Sequence, residues 1–197
     1  HIRASNSTLH LAGLLTSGSV HSHIDHLFAL IDLAAKNEIL NVKIHLFTDG
    51  KDSGLKEGAI LVKKVQDYLA KTGPPAGGGN IATIIGRDFA MDRSKNWDYT
   101  NKTYDLMVRG TGEKTQDPLK KLEELYEQGL TDSKIPPLVL DEHGTIQEND
   151  ALVFFNFRED SMRQITKSFI EPEFEIFPVK RFQNLFVVGM TQYVEDP

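Results

Sequence analysis

Residues 9–26 read LHLAGLLTSGSVHSHIDH: a nearly unbroken apolar run from Leu9 to Leu15, a turn of small residues from Thr16 to Ser19, and a polar cluster from His21 onward. An apolar run without polar alternation is what a strand needs when helices cover both faces of its sheet. The turn of small residues ends the strand. Ser22 is placed to cap a helix, with Asp25 complementing its first turn. Ile24, Leu27, Phe28, Ile31, Ala34 and Ala35 then recur at helical spacing. The stretch is therefore one strand–turn–helix unit.

The same unit recurs along the chain. Val42–Phe47 runs out at Asp49, Lys51 and Asp52; Ile81–Ile85 at Arg87 and Arg93; Leu152–Phe157 at Arg158 and Arg163; Asn184–Met190 is a last apolar run. Helices are expected over 59–71, over Asp98–Val108, from Asp117-Pro118 toward Gly129 with Pro in the first turn, and through Met162, Ile165 and Phe169. Residues 73–79 and 130–150 read as loops, and Phe174–Phe182 as extended and broken by Pro178. Alternating strands and helices with short connections predict an α/β fold, a doubly wound three-layer α/β/α sandwich around a mainly parallel sheet. The polar clusters would then meet at the carboxyl ends of the strands, where open α/β sheets hold ligands. Cations gathered there on a chain that is acidic overall point to a small anionic ligand.

Composition bounds the function. The 197 residues suit one domain with a real core, here expected over 1–197. A formal net charge of −6 argues against a nucleic-acid partner. No apolar stretch is long enough for a bilayer, and no basic region followed by an apolar one marks a secretory signal, so no membrane partner is expected. Cysteine is absent, which excludes disulfides and thiolate metal sites and fits a reducing cytoplasm. The ends, His1-Ile2-Arg3 and Glu195-Asp196-Pro197, read as cuts in a longer polypeptide.

Each motif has a plain reading beside its chemical one. His21-Ser22-His23-Ile24-Asp25-His26 spells H-x-H-x-D-H, a spacing suited to a binuclear zinc hydrolase. That chemistry needs further ligands downstream, and of the remaining histidines His45 lies within a strand and only His143 is left. The plain reading puts His23 and His26 in solvent on the first turns of a helix, with His21 alone at the rim. Asp49-Gly50 alone is a turn; Lys51 and Asp52 beside it are placed to hold an anion and to take a proton from a hydroxyl. Arg87 and Arg93 bracket Asp88 and Asp92. They either clamp a carboxylate or phosphate or are neutralised by those two aspartates. Arg158 follows the most apolar strand and needs an anionic partner, from the protein or from a ligand. Gly77-Gly78-Gly79 precedes a strand, so it is not a phosphate-cradling loop, and no Gly-x-Ser-x-Gly elbow is present.

Taken in order, the segments Ser7-Thr8-Leu9-His10, Gly13-Leu14-Leu15, Val20-His21-Ser22-His23, His45-Leu46-Phe47, Asp49-Gly50-Lys51-Asp52, Gly86-Arg87, Ala90-Met91-Asp92-Arg93, Phe155-Asn156-Phe157-Arg158 and Met190-Thr191-Gln192-Tyr193 resemble the substrate-binding domain of cofactor-independent (2,3-bisphosphoglycerate-independent) phosphoglycerate mutase. The resemblance implies an isomerase of glycolysis and gluconeogenesis that interconverts 3-phosphoglycerate and 2-phosphoglycerate. It implies a second, phosphatase-like domain of the same polypeptide, absent here, that carries two manganese ions (Mn2+) and a nucleophilic serine. This chain needs no cofactor of its own and would hold glycerate while the phosphoserine returns its phosphoryl group. By the resemblance His21 contacts substrate, Asp52 handles the proton of the receiving hydroxyl, and Arg87, Arg93 and Arg158 bind carboxylate and phosphoryl oxygens.

The chain departs from the family pattern in three places. Thr16-Ser17-Gly18-Ser19 replaces Ser-Asp-Gly-Gly, Lys51 replaces an arginine, and Ser161 stands where a further arginine is usual, with Arg163 two residues on as its candidate substitute. By these expectations the chain is an excised domain, inactive alone. The rival readings are a stand-alone anion-binding module without catalysis, which Lys51 and Ser161 favour, and the zinc hydrolase of the His21–His26 string.

Overall fold

Leu9–Leu15 forms strand β1, and Ile24–Lys36 forms helix α2 after it; a single helical turn, α1 (Ile2–Ser5), precedes them. The computed structural model describes residues 1–72 and 79–193. Within these, β2 (Val42–Thr48), α3 (Gly58–Thr72), β3 (Gly79–Gly86), α4 (Arg87–Ala90), α5 (Trp97–Arg109), β4 (Glu113–Lys114), α6 (Pro118–Glu127), a 3-10 turn (Asp132–Lys134), β5 (Leu138–Val139), β6 (Ala151–Phe154), α7 (Arg163–Ile170) and β7 (Phe186–Gly189) follow. The expected loop over 73–79 falls outside the described residues except at Gly79, which opens β3.

Among the described residues the strands form one seven-stranded sheet in the order β4-β5-β3-β2-β1-β6-β7. β3, β2, β1, β6 and β7 run parallel, while β5 pairs antiparallel with β3 and carries β4 with it. Side chains alternate across the sheet and feed two cores. Leu11, Leu15, Ile44, Leu46 and Ile84 pack under α2, α3 and α6 through Leu27, Ile31, Leu61, Val65 and Leu122. Ala12, Leu14, Phe47, Ile85 and Phe154 pack under α5 and α7 through Tyr104, Met107 and Ile165. This is the expected three-layer α/β/α sandwich around a mainly parallel sheet. It explains why β1 and β2 are apolar almost throughout, since neither face meets water.

Several boundaries differ from the expectation, each for a local reason. β4 and β5 are two residues long and leave no periodic trace, so they hid in segments read as loop. Ser22 does not cap α2; His23 does, accepting from the Asp25 amide through Nδ1. β6 stops at Phe154 rather than Phe157 because the Asn156 side chain takes over, its Oδ1 accepting from the Leu14 amide at 2.9 Å. The chain then peels toward the β1 loop, where the Phe157 amide donates to the His21 carbonyl at 2.9 Å. On α3, Leu61, Val62 and Val65 are buried while Ile60 is exposed.

A polar chain crosses the sheet on its α5/α7 side. Asp150, just before β6, contacts His10 Nε2 at 3.1 Å; His10 Nδ1 lies 2.9 Å from His45 Nε2; His45 Nδ1 lies 2.8 Å from Thr83 Oγ1. His10 and His45 are fully buried. Burial is the main force keeping both imidazoles less basic than usual; the Lys43 ammonium adds to it in each, and Asp150 opposes it only at His10. Burial pushes the Asp150 carboxyl up, but the His10 bond and the Thr8 and Gln147 amides outweigh it and hold that carboxyl low. Two neutral imidazoles and one carboxylate leave a single donor direction: Thr83 to His45, His45 to His10, His10 to Asp150.

The sign of the pH response follows. A histidine whose folded basicity lies below its ordinary value of 6.5 costs nothing above that pH and destabilises the fold as pH drops beneath it, because the unfolded chain then takes up the proton. The urea midpoint should therefore fall as pH is lowered from about 7 to about 5, and the slope should shrink in a His10→Gln/His45→Gln variant. Equal slopes in the two proteins would place the titrating groups elsewhere.

Candidate anion-binding site

The order of the sheet reverses at β1, which pairs with β2 on one side and β6 on the other. The loops after β1 and β6 therefore diverge and leave a crevice at the carboxyl ends. Four strands deliver side chains there: Thr16 and His21 after β1, Asp49, Lys51 and Asp52 after β2, Arg87 and Arg93 after β3, and Asn156, Arg158, Asp160 and Ser161 after β6. The sequence-derived rim is thus one place in the fold.

Asp49 anchors it. Only 1% exposed, it accepts from the Thr16 hydroxyl, from the Lys51 and Asp52 amides at 3.2 and 3.1 Å, and from Arg87 Nη1. Burial would raise its pKa, but these hydrogen bonds and the Arg87 charge overcome that and hold it below the usual carboxylate range. Gly50 beside it has φ +69, a left-handed turn that suits glycine. Gly18 lies so close to the Asp52 backbone that a Cβ there would overlap it, which fixes the β1 turn against the β2 turn.

Arg87 is the first residue of α4 rather than part of a loop, and it is 9% exposed. Its Nη1 also reaches Asp52 Oδ2 at 2.7 Å, so one guanidinium holds both aspartates. Burial opposes its charge, and the bonds to Asp52 and Asp49 outweigh that. His21 is buried, with Nε2 3.9 Å from Asp52 Oδ2 and Nδ1 3.7 Å from Asp160 Oδ1. Burial and the nearby Arg87 charge lower its basicity more than the two carboxylates raise it, and Nδ1 has no hydrogen-bond partner. This is a neutral imidazole, oriented but uncommitted.

Asp160 is the second organising carboxylate, and the sequence reading passed over it. Arg93 and Arg158 both bond its Oδ2, the latter at 2.8 Å, and the Ser161 hydroxyl bonds Oδ1 at 3.1 Å. Burial pushes this carboxyl up, while Ser161, Arg158 and Arg93 hold it low. Asp88 and Asp92 do not neutralise the arginines as one reading allowed. Asp88 pairs with Lys51, and Asp92 accepts from Ser94, Asn96 and Gln164. Arg87 and Arg93 do not share an anion either, each holding its own carboxylate. They do line one cleft of about 200 Å³ with Lys51, Asp88 and Ser161.

Most of the candidates thus come together through two aspartates, Arg87–Asp52–His21 on one side and His21–Asp160–Arg93–Arg158 on the other, while Lys51 joins the same cleft paired with Asp88. Arg163 is the exception. It turns to Glu159 and borders a neighbouring groove instead of the cleft, so it does not replace the side chain missing at Ser161. His23 and His26 are half-buried rather than solvated; His23 caps α2 and His26 packs edge-on against Phe157. Among the described residues no three His, Cys, Asp or Glu side chains are grouped to hold a metal ion, so the His21–His26 string does not form a zinc site. Asp49 and Asp160, the two carboxylates that hold the rim together, were the residues missed. Their signal was an acid set directly after a strand and another within a basic loop.

The family model for "BPG-independent PGAM N-terminus" matches residues 1–195. The chain is 41% identical over 192 residues to the 2,3-bisphosphoglycerate-independent phosphoglycerate mutase of Clostridium novyi, covering 95% of this chain and 37% of that protein. It is 40% identical over 198 residues to the protein of the same name from Trichormus variabilis, covering 99% and 36%. A crystal structure of Leishmania mexicana phosphoglycerate mutase, at low cobalt concentration, superposes with a TM-score of 0.87 at 28% identity, over 93% of this chain and 35% of that one. The chain thus spans little more than a third of the length of the relatives it matches.

Removing the buried Asp49 carboxylate leaves Arg87 with Asp52 alone and takes the acceptor from the Thr16 hydroxyl and two amides, at a cost of about 3–5 kcal/mol. Asp49→Ala should therefore lower unfolding stability by about that amount, measured by urea titration. Asp160→Ala removes a partly exposed carboxylate whose arginine partners face solvent, and should cost about 1 kcal/mol or less. Equal losses in the two variants would remove Asp49 from its anchoring role.

Proposed function

The chain belongs to the BPG-independent phosphoglycerate mutase N-terminus family, and on that premise we propose that it is the glycerate-binding unit of an enzyme interconverting 3-phosphoglycerate and 2-phosphoglycerate. The observation that carries this reading is the convergence of His21, Lys51, Asp52, Arg87, Arg93 and Arg158 at the carboxyl ends of four strands. A three-carbon acid bearing a phosphoryl group offers two anionic ends. Arg93, Arg158 and Lys51 are the exposed cations that would take them, trading Asp160 or Asp88 for ligand oxygens. Arg87 stays with its two aspartates and aims Asp52.

Asp52 is then placed to act as base. Its carboxylate removes the proton from the receiving glycerate hydroxyl as that oxygen bonds to phosphorus, and returns a proton when the bond is broken in the reverse sense. His21, made less basic by burial and the Arg87 charge, has Nε2 3.9 Å from Asp52 and would meet a substrate oxygen beside that carboxylate. Retaining glycerate between the two transfers needs several oriented charged contacts, and the two-aspartate frame supplies them already assembled.

The rest of the chemistry belongs to the remainder of a longer protein, in this reading a phosphatase-like domain with two manganese ions. Among the described residues no three His, Cys, Asp or Glu side chains are grouped to hold such an ion. No described helix is long and apolar enough to cross a membrane. The absence of cysteine fits a cytoplasmic setting, where glycolysis and gluconeogenesis take place.

Calorimetric titration with 3-phosphoglycerate tests the reading. Binding should be measurable, and Arg93→Ala should weaken it by about 1.5–3 kcal/mol, the worth of a hydrogen bond to a charged group. Unchanged affinity in that variant would make Arg93 a structural residue. The chain with manganese added should form no 2-phosphoglycerate; sustained turnover would overturn the division of labour.

A further inference from the structure

Beside the cleft lies a larger groove of about 370 Å³ whose wall carries four cations, Arg93, Lys95, Arg163 and Lys167, against one carboxylate, Asp160. The remaining wall is Trp97 and Gln164. An excess of three positive charges in one concavity stands out on a chain with a net charge of −6. Lys95 and Lys167 take part in no ion pair among the described residues, and Arg163 has only its partly exposed neighbour Glu159 one turn back. Asp92, behind Gln164, keeps its charge while it accepts from the Ser94 and Asn96 amides and Gln164, so it offsets part of the excess without pairing with any of the four cations.

The groove is held from behind by a buried amide. Gln164 accepts from the Lys95 backbone amide at 2.9 Å and donates to Asp92 at 2.9 Å and to Thr100 at 3.1 Å. Lys95 sits in the left-handed region at φ 64, a conformation this bond keeps in place. The loop that carries Arg93 and Lys95 ahead of α5 is thereby tied to α7, which carries Arg163 and Lys167. Gathered like charges repel one another, and an anion in the groove relieves that repulsion.

We propose that this groove is a second oxyanion site, built for a small, multiply charged phosphate-type ligand of the pyrophosphate class and separate from the glycerate cleft. Lys95, Arg163 and Lys167 lie outside that cleft, and Arg93 alone borders both. The inference does not rest on the glycerate reading, because its ligands and its readout are its own. Trp97 is the one tryptophan of the chain and lines the groove, so its emission reports occupancy directly.

The experiment titrates inorganic pyrophosphate into the chain while following Trp97 fluorescence, with and without saturating 3-phosphoglycerate. A saturable change should persist with 3-phosphoglycerate present. It should weaken roughly tenfold or more in Lys95→Ala/Lys167→Ala, through the loss of two charge-assisted contacts. The affinity for 3-phosphoglycerate, read by calorimetry, should stay within about twofold in that variant, whose two lysines touch nothing in the cleft. No saturable change at millimolar pyrophosphate, a change abolished by 3-phosphoglycerate, or one indifferent to the two lysines overturns the proposal. Failure of 3-phosphoglycerate to bind at all would count against the glycerate reading alone.

Discussion

The buried carboxylate of Asp49 is the constraint on which the carboxyl-end rim depends. It draws in the Thr16 hydroxyl from the β1 loop, two amides of its own β2 loop and the Arg87 guanidinium from the start of α4. Three connections that are remote in sequence are thus tied to one pair of oxygens. A buried anion is tolerable only when fully satisfied, so the site cannot loosen one of these loops without stranding charge in the core. The geometry that the proposed function needs at Asp52 therefore rests on the stability of the fold. Asp52 is aimed because Arg87 is held, and Arg87 is held because Asp49 is buried.

Around that anchor the charges balance. Lys51, Arg87, Arg93 and Arg158 meet Asp49, Asp52, Asp88 and Asp160, so the rim is not the bare cationic surface its basic residues imply. The inner pair is buried and permanent in character; the outer pairs are exposed and weak. In the proposed function, such a gradient would let the arginines exchange an internal carboxylate for a ligand's at small net cost. His21 sits where the two aspartate clusters meet, within 4 Å of both and hydrogen-bonded to neither.

Much of this was readable from the residues. The apolar runs at Leu9–Leu15, Val42–Phe47 and Ile81–Ile85 announced a sheet covered on both faces, and the polar clusters that follow them announced the rim. Strands of two residues, such as Glu113–Lys114 and Leu138–Val139, are too short for any periodicity and were legible only as pairing partners. The early end of β6 was hidden because Asn156 replaces a ladder bond with its side chain, a choice made in three dimensions. Side-chain partners were the least legible. Nothing in the spacing of Arg87, Asp88, Asp92 and Arg93 tells that these arginines ignore their sequence neighbours for Asp49, Asp52 and Asp160. Arg163 failed as a substitute for the same reason, since two positions along a helix swing a side chain to another face.

The Thr83–His45–His10–Asp150 chain has an implication for how this sequence can drift. Each member is completed by the next, so a lone replacement leaves a buried proton or lone pair with nowhere to go, while a joint exchange for apolar side chains of similar bulk does not. The four positions form one heritable unit strung across three neighbouring strands and the lead-in to a fourth. Ancestors that altered it had either to pass through a weakened intermediate or to change several sites at once.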